Sequence, residues 1–274
     1  MIESTKEARP VKKAARVVSQ EKIAEDIYSM WIKTDVARRA MPGQFISVFA
    51  NDGSKLLPRP ISLCEIFHEA DILRIVYRVT AANTGTELFS RLKAGEAIEI
   101  MGPLGNGFDL SEKNKLRQVR KVLIIGGGIG VPPMLQLAKE FNHILDKHQI
   151  QLLMGYRDEV FLMSDFKDFG SLYIATENGS LGTVGTVMDA IDEFDLSADM
   201  IYACGPVRML RAIKGYAKKN RCTCYLSLEE KMACGVGACL ACICRSKEID
   251  PHSNLRQKRI CKDGPVFLST EVEI

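Results

Sequence analysis

The 274-residue sequence predicts a multidomain α/β plus β protein: an N-terminal antiparallel β-barrel, a central parallel-sheet nucleotide-binding domain and a small C-terminal cysteine-rich segment. Three observations carry this reading. Short β-like runs between Pro and Gly turns fill the chain up to Glu99, and apolar runs alternating with helical stretches follow. Last, "ACGVGACLACIC", residues 233–244, holds four of the nine cysteines.

A chain of this length accommodates roughly two domains of about 150 residues with a solid apolar core. Lys plus Arg (37) barely exceed Asp plus Glu (34), and no long basic run is interleaved with aromatics. That balance excludes nucleic acid as the expected partner. Arg256, Lys258 and Arg259 form one compact basic patch, read either as a solvated face or as a docking surface near the cysteines. The stretch Met1 to Val18 is polar and lacks the apolar core of a secretory signal, and a flexible tail is expected over Met1 to about Pro10. No apolar run approaches the ~18 residues that span a bilayer. A cytoplasmic protein with no membrane contact is expected. Nine is an odd number of cysteines, and five of them lie from Cys234 onward, which argues against a disulfide framework and for metal binding.

In the first part, residues 11–110, the strands are "GQFISVFA" (43–50), "ILRIVYRVT" (72–80) and "EAIEIMG" (96–102). Turns at Pro42-Gly43, Pro58 to Pro60 and Gly102-Pro103 separate them, the spacing of a small barrel or sandwich. In the second part, 111–224, "KVLIIGGGIG" (121–130) is a buried strand running into glycines. After Pro132-Pro133, residues Met134, Leu135, Ala138, Phe141 and Leu145 recur at helical spacing. The runs "IQLLMGY" (150–156), "SLYIAT" (171–176) and "DMIYACG" (199–205) follow, with helices expected near Val184 to Glu193 and Val207 to Lys219. Strands alternating with helices imply a parallel sheet covered on both faces. The third part, 225–274, is too small for a full core, and metal is a usual staple for such segments.

Cys234, Cys239 and Cys242 stand in C-x4-C-x2-C spacing, and Cys261 follows as a distant fourth. This is the plant-type ferredoxin arrangement for a 2Fe-2S cluster. Gly235, Gly237, Ala238 and Ala241 let the loop wrap closely and aim backbone N–H groups at the sulfurs. Structural zinc, which favours two C-x2-C or C-x2-H pairs, is the rival; here Cys261 has no close cysteine partner. Cys244 is a spare in this motif, and Cys64, Cys222 and Cys224 read as small buried hydrophobes.

Gly126, Gly127, Gly128 and Gly130 end a buried strand, where glycines let a backbone approach a pyrophosphate and a following helix N-terminus offers free N–H donors. Val131 breaks the strict G-x-G-x-x-G, so a plain strand-to-helix turn stays open. "ACGP" (203–206), with Cys204, Gly205 and Pro206, closes a later strand at the same sheet edge, where ligands of open α/β sheets bind. "RPIS" (59–62) lies between barrel strands: Arg59 can fork a phosphate and Ser62 can donate a hydrogen bond, though a proline-fixed turn explains the motif equally.

A barrel with R-P-x-S followed by G-G-G-x-G and C-G-P resembles the ferredoxin reductase superfamily. With "CGVGACLAC" and "CKDGPVF" (261–267) appended, the chain beyond about Val11 looks like the electron-transfer subunits of type B dihydroorotate dehydrogenase. That resemblance implies a flavin-binding barrel, a ferredoxin-like iron–sulfur segment, and FAD, one 2Fe-2S cluster and NAD as cofactors. It implies that Arg59, Pro60, Ile61, Ser62, Val76, Tyr77, Arg78, Gly85 and Thr86 contact FAD. By itself "VYR" would be an ordinary alternating strand. It further implies that Gly126, Gly127, Gly128, Gly130, Cys204, Gly205 and Pro206 serve NAD, and that Cys234, Cys239, Cys242 and Cys261 ligate the cluster. Ile61 stands where many reductases of the superfamily place an aromatic residue on the flavin, a departure that fits the narrower family.

A nicotinamide exchanges a hydride and a cluster one electron at a time, whereas a flavin does both, so FAD must stand between them. No acid/base pair is left for an organic substrate, and His68, His143, His148 and His252 lack ligand spacing. Electrons must therefore pass to or from another chain. The resemblance implies an FMN-containing catalytic subunit that oxidises dihydroorotate in pyrimidine synthesis, in a heterotetramer of two of each. Asp158 and Glu159 after "QLLMGY" would repel a 2′-phosphate and favour NAD over NADP, with Arg157 opposing. Other readings are a different reductase subunit, such as a bifurcating ferredoxin:NADP reductase or an oxygenase reductase, and a zinc-clamped nucleotide-binding module. With the barrel read as separate, FAD is expected to survive loss of the cluster.

Overall fold

The computed structural model describes residues 10–251 and 253–274. His252 and, apart from Pro10, the expected N-terminal tail lie outside the described residues. Six antiparallel strands close the barrel: β1 (Val11–Ala24), β2 (Ile27–Lys33), β3 (Phe45–Phe49), β4 (Arg59–Phe67), β5 (Ile72–Arg78) and β6 (Ala97–Leu104), in the order β1-β2-β5-β4-β3-β6. Alternation drives the closure. In β6, Ile98 and Ile100 point inward while Ala97 and Glu99 stay outside, and Ile46, Val48, Leu63 and Ile75 meet them in the interior. A short helix α1 (Gly85–Ser90), capped by Thr84, adds Phe89 to that core.

The second part holds α2 (Lys113–Leu116), β7 (Val122–Gly127), α3 (Pro132–Asn142), β8 (Ile150–Tyr156), α4 (Met163–Phe166), β9 (Ser171–Thr176), β10 (Thr183–Val184), α5 (Val187–Glu193), β11 (Met200–Cys204), α6 (Val207–Asn220) and β12 (Thr223–Ser227). Neighbouring residues of β7 serve opposite cores. Val122 and Ile124 pack with Met134, Leu135 and Phe141 of α3, whereas Leu123 and Ile125 pack with Ile191 of α5 and Leu210 and Ile213 of α6. That is the two-sided burial of a helix-covered parallel sheet.

The third part adds β13 (Ile243–Ser246), β14 (Gln257–Arg259), β15 (Val266–Leu268) and β16 (Val272–Glu273). Three of these make a small sheet in the order β14-β13-β16, but β15 joins the large sheet, whose order is β10-β9-β8-β7-β11-β12-β15. It pairs antiparallel with β12, so the sheet is parallel except at this edge.

Two expectations change. The helix expected from Val184 begins at Val187, because Val184 pairs with Thr176 and Thr186 caps the helix in a capping box with Asp189. The basic patch dissolves: Arg259 is buried against Asp263, and Lys258 lies 3.5 Å from Glu248 and 3.6 Å from Glu271, leaving Arg256 exposed. Among the described residues no helix is long and apolar enough to cross a membrane.

Candidate functional site

A cavity of about 500 Å³ opens where the three parts meet, within the range of cofactor sites. Eight of the nine residues expected for a flavin line it: Arg59, Pro60, Ile61 and Ser62 from β4, Val76, Tyr77 and Arg78 from β5, and Thr86 from α1. Gly85 stands behind them, where a Cβ would come within 3.3 Å of Arg59 Nε, so its small size lets the arginine lie against α1. Arg59 Nη1 donates to Leu57 O at 2.7 Å. Tyr77 stacks on Tyr28 and donates to Gln20 Oε1 at 2.7 Å, and burial pushes its phenol up, so it stays neutral. "VYR" is therefore both an alternating strand and a cavity wall.

The sequence reading missed the opposite wall. Ile129 enters from the glycine turn, and Leu228, Glu229, Glu230, Met232 and Pro265 come from the cysteine-rich part. Burial pushes the Glu229 carboxyl up, although the residue keeps solvent contact through the open cavity. The separation expected between barrel and cluster segment is thus not what the cavity shows. Asn106 N–H donates to Gly264 O at 2.6 Å and Leu228 N–H to Pro265 O at 2.9 Å, tying this wall to the barrel's last loop and to β12. The signal available beforehand was "CKDGPVF", whose Pro is the wall residue.

The two turns expected for NAD meet at the carboxyl edge of the large sheet. A Cβ on Gly130 would lie 2.4 Å from Cys204 O, so this glycine is required by the contact between the turns. Gly127 likewise faces Met209 and Pro206. Gly128, at φ +54°, has open space where its Cβ would be, and is the member of the run that a ligand can approach. One expectation fails here. Helix α3 begins with Pro132 and Pro133, which have no N–H, and Met134 N–H already donates to Val131 O, so α3 does not offer the free donors read from the sequence. Helix α6 does: its first turn, Val207 to Met209, carries amides without intrahelical acceptors, with Arg208 exposed beside them. Cys204 is fully buried, and burial pushes its thiol up.

A second cavity, about 440 Å³, lies beyond the ends of β8 and β9 and is lined by Arg78, Arg157, Asp158, Glu159 and Asn178 among others. Glu159 is engaged, accepting from Glu25 N–H at 2.6 Å. The Glu159 backbone N–H, with Arg157 nearby, holds Asp158 below the usual carboxylate range.

The cysteines form two pairs. Burial opposes ionisation of Cys234, but the N–H groups of Val236, Cys239 and Ala238 at 3.3–3.4 Å, with the Cys239 thiol, bring it down to about 7. Cys242 lies beside Cys261, whose thiol and backbone N–H bring it down to about 6, while the same pairing pushes Cys261 up. Gly237 N–H donates to Cys261 Sγ at 3.1 Å. Among the described residues no three His, Cys, Asp or Glu side chains converge as on a single ion. Two thiol pairs with N–H groups aimed at sulfur fit a two-iron cluster, with one pair for each iron, better than tetrahedral zinc. Cys244 stays outside the set, and Cys64 and Cys224 are buried as expected, with Cys222 half-buried.

Residues 229–273 match the model of the iron-sulfur cluster binding domain of dihydroorotate dehydrogenase B. The chain is 42% identical over 258 residues to the dihydroorotate dehydrogenase B (NAD(+)) electron transfer subunit of Fusobacterium nucleatum, covering 92% of this chain and 95% of that one. It is 41% identical to the subunit of the same name from Streptococcus mutans, over 96% and 98% of the two chains. The chain belongs to this family of electron transfer subunits. Its fold is that of the ferredoxin reductases. An NADH-dependent reduced ferredoxin-NADP oxidoreductase superposes with TM-score 0.76 at 26% identity, covering 94% of this chain and 89% of that one. The ferredoxin reductase of carbazole 1,9a-dioxygenase gives TM-score 0.65 at 23% identity, over 79% and 68%, and shows the fold alone. As a member of the family, the chain is an oxidoreductase subunit working with FAD, a 2Fe-2S cluster and NAD.

Proposed function

We propose that the chain carries electrons between an FMN-containing dihydroorotate dehydrogenase subunit and NAD⁺, with each cofactor held by the residues described above. One observation carries this reading: a single cavity takes its walls from the R-P-x-S barrel strand, the glycine turn and the cysteine-rich segment together. Arg59 and Thr86 are suited to flavin phosphates, Ile61 and Val76 to an apolar ring face, and Ser62 to a hydrogen bond at the ring edge. A flavin there supplies the conversion between hydride and single-electron transfer.

For NAD, the amides at the start of α6 with Arg208 supply positive potential, and open Gly128 gives backbone access. Asp158 is suited to accept from the ribose hydroxyls and to repel a 2′-phosphate. Cys234 with Cys239, and Cys242 with Cys261, would hold the cluster. No acid/base pair of this chain is read as serving dihydroorotate, so in this reading that chemistry belongs to the partner; a heterotetramer of two of each chain in the cytoplasm is the assembly this reading takes. Resemblance to the family supports the FMN, the stoichiometry and the compartment.

The test is a visible spectrum of the purified protein, with iron, acid-labile sulfide and flavin assayed before and after adding NADH. One flavin and two irons per chain, both bleached by NADH, are expected. A colourless protein containing one zinc, from cells supplied with iron and riboflavin, refutes the assignment.

A further inference from the structure

A cluster of charged side chains outside the cofactor sites joins the barrel to the nucleotide domain. Glu65 of β4 and Arg74 of β5 are 5% and 6% exposed. Arg74 Nη1 donates to Glu65 Oε2 at 2.7 Å and also to Asp165 of α4, while its Nε donates to Ser29 Oγ at 2.9 Å. Lys139 of α3 donates to the other oxygen of Glu65. One turn earlier on the same helix, Gln136 Oε1 accepts from Ile66 N–H at 2.8 Å. Two acids and two bases are thus closed on one another across the domain boundary.

Burying such a network is weak as a source of stability, since apolar residues of the same volume often do as well. What it fixes is relative placement. Strand β4 carries the flavin-cavity residues Arg59 to Ser62 at one end and Glu65 with Ile66 at the other. Helix α3 carries the glycine turn, with Ile129 in the cavity wall, at its start and Gln136 and Lys139 further along. Clamping the far end of one element to the body of the other fixes the distance between flavin wall and nucleotide turn. Domain interfaces otherwise permit relative motion, and hydride transfer needs reacting atoms about 3–3.5 Å apart, with a displacement of about 1 Å costing about a hundredfold in rate.

We infer that Glu65, Arg74, Lys139, Asp165 and Gln136 are positioning residues that set the approach of the nicotinamide to the flavin. The inference rests on the two meeting at this cavity, as proposed above. The transfer moves one hydride, two electrons with one proton, from dihydronicotinamide to flavin and leaves NAD⁺.

The test compares parent with Glu65→Gln, which keeps the shape and removes the charge. Flavin and iron contents equal to the parent are expected. Flavin bleaching by saturating NADH in stopped flow should fall about ten- to a hundredfold, while reduction by dithionite, which needs no nicotinamide geometry, keeps its rate. Amide exchange of Ile66 and of Met134 and Leu135, the first residues of α3 to carry an N–H, should rise, also in protein without nucleotide. Bleaching within about twofold of the parent overturns the inference, as does unchanged exchange or a fall that dithionite reduction shares. If Glu65→Gln does not fold or loses flavin, Lys139→Met, whose side chain is more exposed than that of Glu65, decides by the same readings. A parent whose flavin NADH does not bleach refutes the redox reading itself, a result distinct from equal rates in parent and variant.

Discussion

Replacing Cys239 by Ser tests how far the cluster supports the flavin cavity. Cys239 is exposed, so the substitution removes a ligand without disturbing a core. Without the cluster, what holds the cysteine-rich part is its share of the large sheet: β15 keeps its pairing with β12, Phe267 stays buried, and Pro265 remains fixed through Gly264 and Asn106. Residues 229–242 have less support: the stretch contains no helix or strand, bonds N–H groups to cysteine sulfur, and otherwise meets the rest of the fold at Gly235 beside Ser47 and at Cys242, whose carbonyl accepts from Ile260 N–H. The loop should loosen and take Glu229, Glu230 and Met232 out of the cavity wall. One half-buried apolar side chain and part of a polar wall amount to about 1–2 kcal/mol of lost contact with the flavin, or roughly five- to thirtyfold in Kd. The assay is FAD titration by flavin fluorescence on apo-protein from parent and variant, with limited proteolysis mapping the loosened segment. Cleavage should fall within 229–242 and spare β12 and β15. An unchanged Kd in a variant shown to lack iron would refute the reasoning, as would a loop as protected as in the parent.

Other outcomes follow from the same geometry. Arg59→Ala should weaken FAD binding by about ten- to a hundredfold through loss of a charge-assisted phosphate contact, with iron content unchanged; an unaltered flavin titration would remove Arg59 from the site. Gly130→Ala must displace Cys204 O, which a Cβ would meet at 2.4 Å; NADH bleaching should become undetectable or much slower while bound FAD persists, and parent-like kinetics would show that the turn can yield. Asp158→Asn should narrow the preference for NADH over NADPH on the order of tenfold, the scale of one like-charge contact in water, as read from kcat/KM for both nucleotides. Iodoacetamide at pH 8 should label exposed Cys239 and partly exposed Cys234 of the apo-protein well before Cys64 and Cys204, whose thiols burial keeps protonated; mass spectrometry of the digest checks the order.

Much of this site is legible in the sequence where a local pattern carries the chemistry. The spacing of Cys234, Cys239 and Cys242 needs only a tight loop, and Gly235 and Gly237 take the positive φ that such a loop demands. The strands Ile150–Tyr156 and Ser171–Thr176 stand where apolar runs place them. What periodicity does not show is pairing at a distance. Nothing in "PVFL" says that three residues will join β12 as an antiparallel edge, because that choice depends on which edge the nucleotide domain leaves open. Nor does alternation mark Glu65 and Arg74 as partners, since a charged residue in a strand reads as facing solvent until a helix is known to cover it. The prolines of α3 are a different case. They stand in the sequence, and their missing N–H groups tell against α3 as a source of amides, but nothing local singles out α6 in its place.

With the flavin in this cavity as proposed, the geometry gives a reason for one chain to carry all three parts. A barrel alone supplies a flavin wall from β4 and β5 but leaves the opposite side open to water, where reduced flavin is exposed to adventitious oxidants. Ile129 covers part of that side from the nucleotide turn, and Met232, two residues before Cys234, covers part of it from the cluster loop. Gly235 then packs toward Ser47 of β3, where a Cβ would lie 3.0 Å from its Oγ, so the cluster loop rests on the barrel itself. On that placement, Ile129 and Met232 would limit solvent access to the flavin and join its cavity to the glycine turn, the proposed nicotinamide side, and to the cluster loop. Loosening the contact with the nucleotide domain should slow reduction of the flavin by NADH, as in Glu65→Gln, whereas loss of the cluster should stop transfer beyond the flavin while NADH still reduces the FAD that stays bound, as in Cys239→Ser.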